Sequence, residues 1–193
     1  MSKTMMETET DPGTAALSAL VARDRAPEIP KADDLYGWLV GSWELDVRHY
    51  RVDVTALNLR GEAHFFRALE GRAVQDVWIM PARSARHTEV DPANNMYGTT
   101  LRIWDASIAA WRITYINPVN GRRAELIGRR VGENIVQIGA HQDGTPIRWN
   151  FIAITRDSFR WTGEALEPDG VTWRLEGEFH ASRIPSRVQR VDA

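Results

Sequence analysis

The chain has 193 residues, 43% hydrophobic and 26% charged, with 24 basic and 26 acidic side chains and a formal net charge of -2. That balance lacks the basic imprint of phosphate binding, so no nucleic-acid partner is expected. The absence of Cys excludes disulfides, thiolate nucleophiles and Cys-ligated metals, and no apolar run approaches the ~20 residues that span a bilayer.

Residues 1–13 are rich in Thr and Glu without periodicity and read as a disordered tail. They carry no apolar core, so no signal peptide is expected and the cytoplasm is the default location. Residues 14–40 read as a helical segment. Ala15, Leu17, Leu20 and Val21 recur at near-helical spacing, which predicts an amphipathic helix to Ala26. Pro27 and Pro30 end it. Asp33 to Leu39 reads as a capped helical turn, placed to plug one end of the strand-rich region.

From Gly41 to Arg183 the pattern is strand, turn, strand. Turn signals stand at Glu70-Gly71, Asn117 to Gly121, Gly132 to Asn134, Asp143 to Pro146 and Pro168 to Gly170. Between them, runs rich in Val, Ile, Thr and aromatic residues predict strands at 42–51, 57–68, 72–80, 98–105, 110–117, 123–131, 134–141, 146–155, 158–165 and 171–182. No helical crossovers intervene, so the class is all-β, an antiparallel meander of about ten strands over 41–183. Residues 184–193 read as a C-terminal tail.

Alternation assigns faces. Trp43, Leu45, Val47 and His49 share one face of the first strand; Val171, Trp173, Leu175, Gly177, Phe179 and Ala181 share one face of the last. His64 to Phe66 places aromatics on both faces and Trp149 to Ile154 is apolar on both, so these segments are expected to be covered by the N-terminal helix or by a second subunit, a homodimer through the barrel wall. The one long connection, Pro81 to Met96, is expected to form a lid over one rim.

Leu39-Val40-Gly41-Ser42-Trp43, the meander, and a last strand closing on Arg183 resemble the calycin superfamily, and within it the bacterial lipocalin-like barrels of unknown function. The resemblance covers about residues 35–183. It implies a closed barrel in which Trp43 packs across one end against an Arg, either Arg183 or Arg174. Phe179-His180-Ala181 is similar to the haem-ligating context of nitrobindins, but the Gly-rich phrase that follows their Trp is here Glu44 to Val47. His180 also alternates with Glu176 and Glu178 on the face placed outside, so a haem role for His180 is only a third reading.

Eight Trp are spread along the strands. Most read as core, and a subset reads as cavity wall. The expected ligand-binding residues are Trp43, Trp78, Trp111, Tyr115, Trp149 and Phe151 as walls, with His49, Arg67, Asp76 and Tyr97 as polar anchors. Asp76 alternates with Val74 and Trp78, and a carboxylate on an apolar face needs a partner; Arg67 and His49 are the neighbours considered. Asn117 and His141 are further polar residues on apolar faces. The five His show no metal-ligand spacing, and no Gly-x-Ser-x-Gly elbow or phosphate loop appears, so no cofactor is assigned. The function expected is binding of a small hydrophobic or aromatic molecule in the barrel. The alternative is a cofactor-independent isomerase, cyclase or lyase, with His49, Asp76 and Tyr115 as candidate acid–base residues.

Overall fold

In the computed structural model, described for residues 11–86 and 90–185, the meander closes on itself. Its elements are α1 (Pro12–Leu20), β1 (Val21–Ala22), β2 (Gly41–Tyr50), β3 (Val52–Asp53), β4 (Arg60–Ala68), β5 (Ala73–Met80) and β6 (Met96–Asp105). There follow β7 (Ala110–Asn117), β8 (Arg122–Val131), β9 (Asn134–Ala140), β10 (Pro146–Ile152), β11 (Ser158–Leu166) and β12 (Trp173–Ile184). From β4 to β12 each strand pairs antiparallel with the next. β12 returns to β2, and β2 pairs with β4, so ten strands form a closed ring. Closure satisfies both edges of every strand. The two-residue strands β1 and β3 are short additions to β4 and β2. The ten expected strands are the ten that close the ring. No helix among the described residues is long and apolar enough to cross a membrane.

The N-terminal segment differs from expectation. The Asp11 side chain caps α1 by accepting from the Thr14 backbone N–H at 3.0 Å, but the helix stops at Leu20 rather than reaching Ala26. Val21 and Ala22 instead take strand partners, Ala68 and Arg67. β-branched Val suits that role. No residue of α1 is buried. Leu35, Tyr36 and Leu39, in the Asp33 to Leu39 stretch placed at the barrel end, are buried there, and the helical turn expected for that stretch is two 3-10 turns, Lys31–Asp33 and Gly37–Leu39. The expected tails at 1–13 and 184–193 fall mainly on residues 1–10 and 186–193, outside the described residues.

Trp43 is fully buried at this closed end. Its indole N–H donates to the Leu39 carbonyl at 2.7 Å, and the Arg183 guanidinium lies 4.0 Å from its ring centroid. Arg183 also donates to the carbonyls of Trp38 (2.7 Å) and Val40 (2.9 Å), which ties the plug to the last strand. The Trp43 partner is therefore Arg183; Arg174 bonds Glu167 and Glu176 at the other rim.

Two bulges overturn the expected faces. In the β2–β12 ladder His49 opposes Glu178 and Val47 opposes Phe179, leaving Arg48 as an extra residue. One extra residue reverses a period-2 pattern, so Tyr50 turns inward with Trp43, Leu45 and Val47, and His49 does not. In the β11–β12 ladder Gly163 opposes Gly177 and Glu164 opposes Leu175, leaving Glu176 extra. Trp173 thus leaves the face of Gly177, Phe179 and Ala181 and is covered by Arg148, 4.3 Å from its ring centroid. Glu176, expected outside, turns to the interior.

The Pro81–Met96 connection rises from the open rim. Its described parts are tied to the wall: Arg83 bonds Glu62, and Arg86 donates to the Met80 carbonyl at 3.1 Å and to Asn95 Oδ1 at 2.9 Å. The rest of the expected lid, residues 87–89, lies outside the described residues.

Candidate functional site

At the end opposite the plug the barrel holds a cavity. The volume open to the centre of a water-sized sphere is about 80 Å³, several times the ~10–15 Å³ that one water requires on that measure. Its middle is aromatic. Trp78 lies 5.8 Å from Trp161, Trp161 lies 5.6 Å from Trp149, and Trp149 lies 5.2 Å from Tyr115, all tilted or edge-on. Phe179 and Met96 complete this belt. Gly163 and Gly177 make room for it, since a Cβ at Gly163 would stand 2.6 Å from the Trp161 ring and one at Gly177 3.1 Å from it.

The inner end of the cavity is polar. Arg102 and Thr100, adjacent inward positions on β6, form part of its lining and are 2% and 3% exposed. Below them Asp76 is fully buried. Its Oδ1 accepts from the Thr100 backbone N–H at 2.9 Å and its Oδ2 from Arg102 Nη1 at 2.5 Å. The Arg102 guanidinium sits among the rings of Tyr36, Phe65 and Phe151, 5.1, 5.7 and 5.9 Å from their centroids. Burial pushes the Tyr36 phenol well above its usual range.

The mouth carries a second polar group. His141, at the β9–β10 turn, places Nε2 2.8 Å from Glu176 Oε2. Arg122, at the start of β8, brings Nη2 to 3.5 Å from the same oxygen, and Arg174 donates to Oε1 at 3.3 Å. Three basic side chains thus converge on one carboxylate. Tyr115 lines the wall between the two ends. Burial raises its phenol above the usual range, so it stays protonated as a donor.

Of the residues expected from sequence to bind ligand, Trp78, Tyr115 and Trp149 line this cavity. Trp43, Trp111 and Phe151 are buried at the closed end; the Trp111 indole donates to the Asp33 carbonyl at 2.8 Å. Asp76 lies behind the lining. Its partner is Arg102, not Arg67 or His49: Arg67 bonds Asp34 at 2.6 Å on the plug side, and His49 is turned away by the β2 bulge. Tyr97 is on the outer wall, 40% exposed and covered by Arg86. His180 is also outside, bonded to Glu178 at 2.6 Å, as alternation placed it, and cannot reach a haem in the barrel. Of the candidate acid–base residues, Asp76 and Tyr115 lie in register on either side of Thr100, while His49 is turned away from both. Sequence reasoning missed Tyr50, Arg102, Arg122, Trp161 and Glu176. For Arg102 a signal existed: Met96, Gly98, Thr100 and Arg102 alternate on one face.

A different polar array crosses the outer wall. Ser42 Oγ is 2.9 Å from His64 Nδ1, and His64 Nε2 is 3.1 Å from Glu62 Oε2. It resembles a nucleophile relay, but Glu62 is committed to Arg83. The Arg83 backbone N–H and Nε donate to its Oε1 at 2.8 and 2.7 Å, and Arg83 Nη2 lies 3.1 Å from His64 Nε2. The bonds from Arg83 chiefly hold the Glu62 carboxyl down at about 2, from an ordinary 4.5. A depressed carboxylate stabilises the fold above its unfolded value and loses that contribution as pH falls toward the folded one. Arg83→Met is therefore expected to be less stable than the native chain at pH 6, with the gap closing between pH 4.5 and about 2. Urea titrations at pH 6, 4 and 3 measure it; a gap that stays constant would refute the assignment.

Comparison with family models and with curated proteins finds no match in either set.

Proposed function

We propose that the protein binds one small aromatic molecule inside a calycin-like barrel. The aromatic belt carries the proposal: Trp78, Tyr115, Trp149, Trp161 and Phe179 surround a cavity with polar groups at its two ends. Ligand sites have this composition, mostly apolar walls with a few placed polar groups, and barrels of this size accommodate one small ligand. The calycin relationship is supported by the Trp43–Arg183 pair at the plugged end.

Three of the eight Trp line the cavity, so occupancy is expected to quench intrinsic fluorescence and raise the melting temperature. A panel of one- and two-ring hydrophobes tests this by fluorescence titration and thermal shift. Trp149→Leu should reduce the quench, whereas Trp104→Leu, outside the cavity, should not. A panel in which no compound quenches or stabilises would overturn the proposal.

A further inference from the structure

We infer that the inner end of the cavity is a receptor for a neutral carbonyl oxygen, so that the ligand is an aromatic ketone or a related carbonyl compound; this rests on the binding function proposed above. Donors without acceptors point to it. Arg102 is 2% exposed and forms part of the cavity lining. Among the described residues its one hydrogen-bond acceptor is Asp76, reached through Nη1, and its buried Nε has no partner. Beside it the Thr100 hydroxyl has no protein partner among the described residues; Asp76 accepts from the Thr100 backbone N–H. Both residues follow one another on the inward face of β6, so an oxygen between them would accept from the guanidinium and the hydroxyl together. A buried donor left unpaired is unfavourable, and a ligand acceptor removes that cost.

Charge decides which oxygen fits. Asp76 and Arg102 form a one-to-one pair, both almost fully enclosed. Their charges cancel, so a ligand carboxylate would bring an uncompensated anion to the buried inner end. A hydrocarbon would leave both donors unmet. A ketone supplies the acceptor without a charge, and its ring lies against Trp78, Trp149 and Trp161. The mouth is different: Arg122, His141 and Glu176 are part-exposed there, so hydroxyl or charged substituents at the far end of the ligand remain hydrated.

Three probes on one bicyclic frame test the assignment: 1-indanone, indane and indane-1-carboxylate, titrated by Trp fluorescence into the full chain. The native protein is expected to bind 1-indanone at least tenfold more tightly than indane or the carboxylate. Thr100→Val keeps the shape and removes the hydroxyl; it should lower the 1-indanone to indane ratio several-fold without weakening indane. The paired substitution Asp76→Leu with Arg102→Met removes both charges together and should also lower the ratio several-fold, leaving the share of the Thr100 hydroxyl; adding Thr100→Val to it should bring the ratio to about one. Equal affinity of the native protein for 1-indanone and indane would overturn the carbonyl site while leaving the aromatic-binding function standing. Preference for the carboxylate would overturn it in favour of an anion site. Failure of all three to bind would overturn both.

Discussion

Asp76→Ala is expected to destabilise the barrel by about 3–5 kcal/mol, the cost of leaving a buried charge without its partner. Asp76 is fully buried and the Arg102 side chain is 3% exposed, so water cannot take over the lost contact without entering the core. The three rings around the guanidinium supply cation–π attraction of ~1–2 kcal/mol, too little to replace a carboxylate. The Thr100 backbone N–H loses its acceptor in the same step. The paired variant Asp76→Leu with Arg102→Met should recover most of the loss, because apolar replacement of both members of a buried pair is often neutral. Chemical denaturation of Asp76→Leu, Arg102→Met and the pair forms a cycle with an expected coupling of about 2–3 kcal/mol. Additive single losses would mean that the charges do not depend on each other.

The ten strands were legible because punctuation and period-2 alternation are local properties. Gly121, Gly144 and Gly170 all take positive φ in the turns between strands, which is what Asn120, Asp143 and Asp169 beside them announced. The Trp43–Arg183 contact was legible only through the resemblance to calycins, which left Arg174 open as the partner; closure of the ring, which brings the start of β2 beside the end of β12, selects Arg183. Functional faces were harder. A bulge is one residue out of step, and nothing in Asp46-Val47-Arg48-His49-Tyr50 says which residue is unpaired. That single step exchanged His49 for Tyr50 at the cavity. The second step moved Glu176 from the wall to the mouth, where it meets His141 and Arg122 from distant strands. A weak signal for it lay in the facing pair Gly163 and Gly177, since glycines mark bulges and close approaches. The Asp76 partner was hidden for a related reason. Alternation names the right face, but either neighbouring strand can supply the cation, and Arg67 on β4 is as close in the pattern as Arg102 on β6.

The plug and the cavity occupy opposite ends of the barrel, and Trp43→Ala separates their roles. It is expected to cost about 3–5 kcal/mol, the usual penalty for deleting a large buried ring without refilling its space. Trp43 is fully buried and packs edge-on against Phe159 at 4.8 Å and Trp38 at 6.1 Å. The variant also leaves the Leu39 carbonyl without its indole donor and Arg183 without its ring. Arg183 still reaches the Trp38 and Val40 carbonyls, so the plug stays attached and a folded, weakened barrel results. Trp43→Phe should recover part of the packing but not the N–H contact, and should fall between the two. Ligand affinity is the discriminating measurement. Trp43 does not line the cavity, so at a temperature where Trp43→Ala remains folded its affinity for an aromatic probe should match that of the native chain within about twofold, roughly 0.4 kcal/mol. A large loss of affinity in the folded variant would mean that the plug sets the position of Tyr36 against Arg102, and through it the geometry of the inner end.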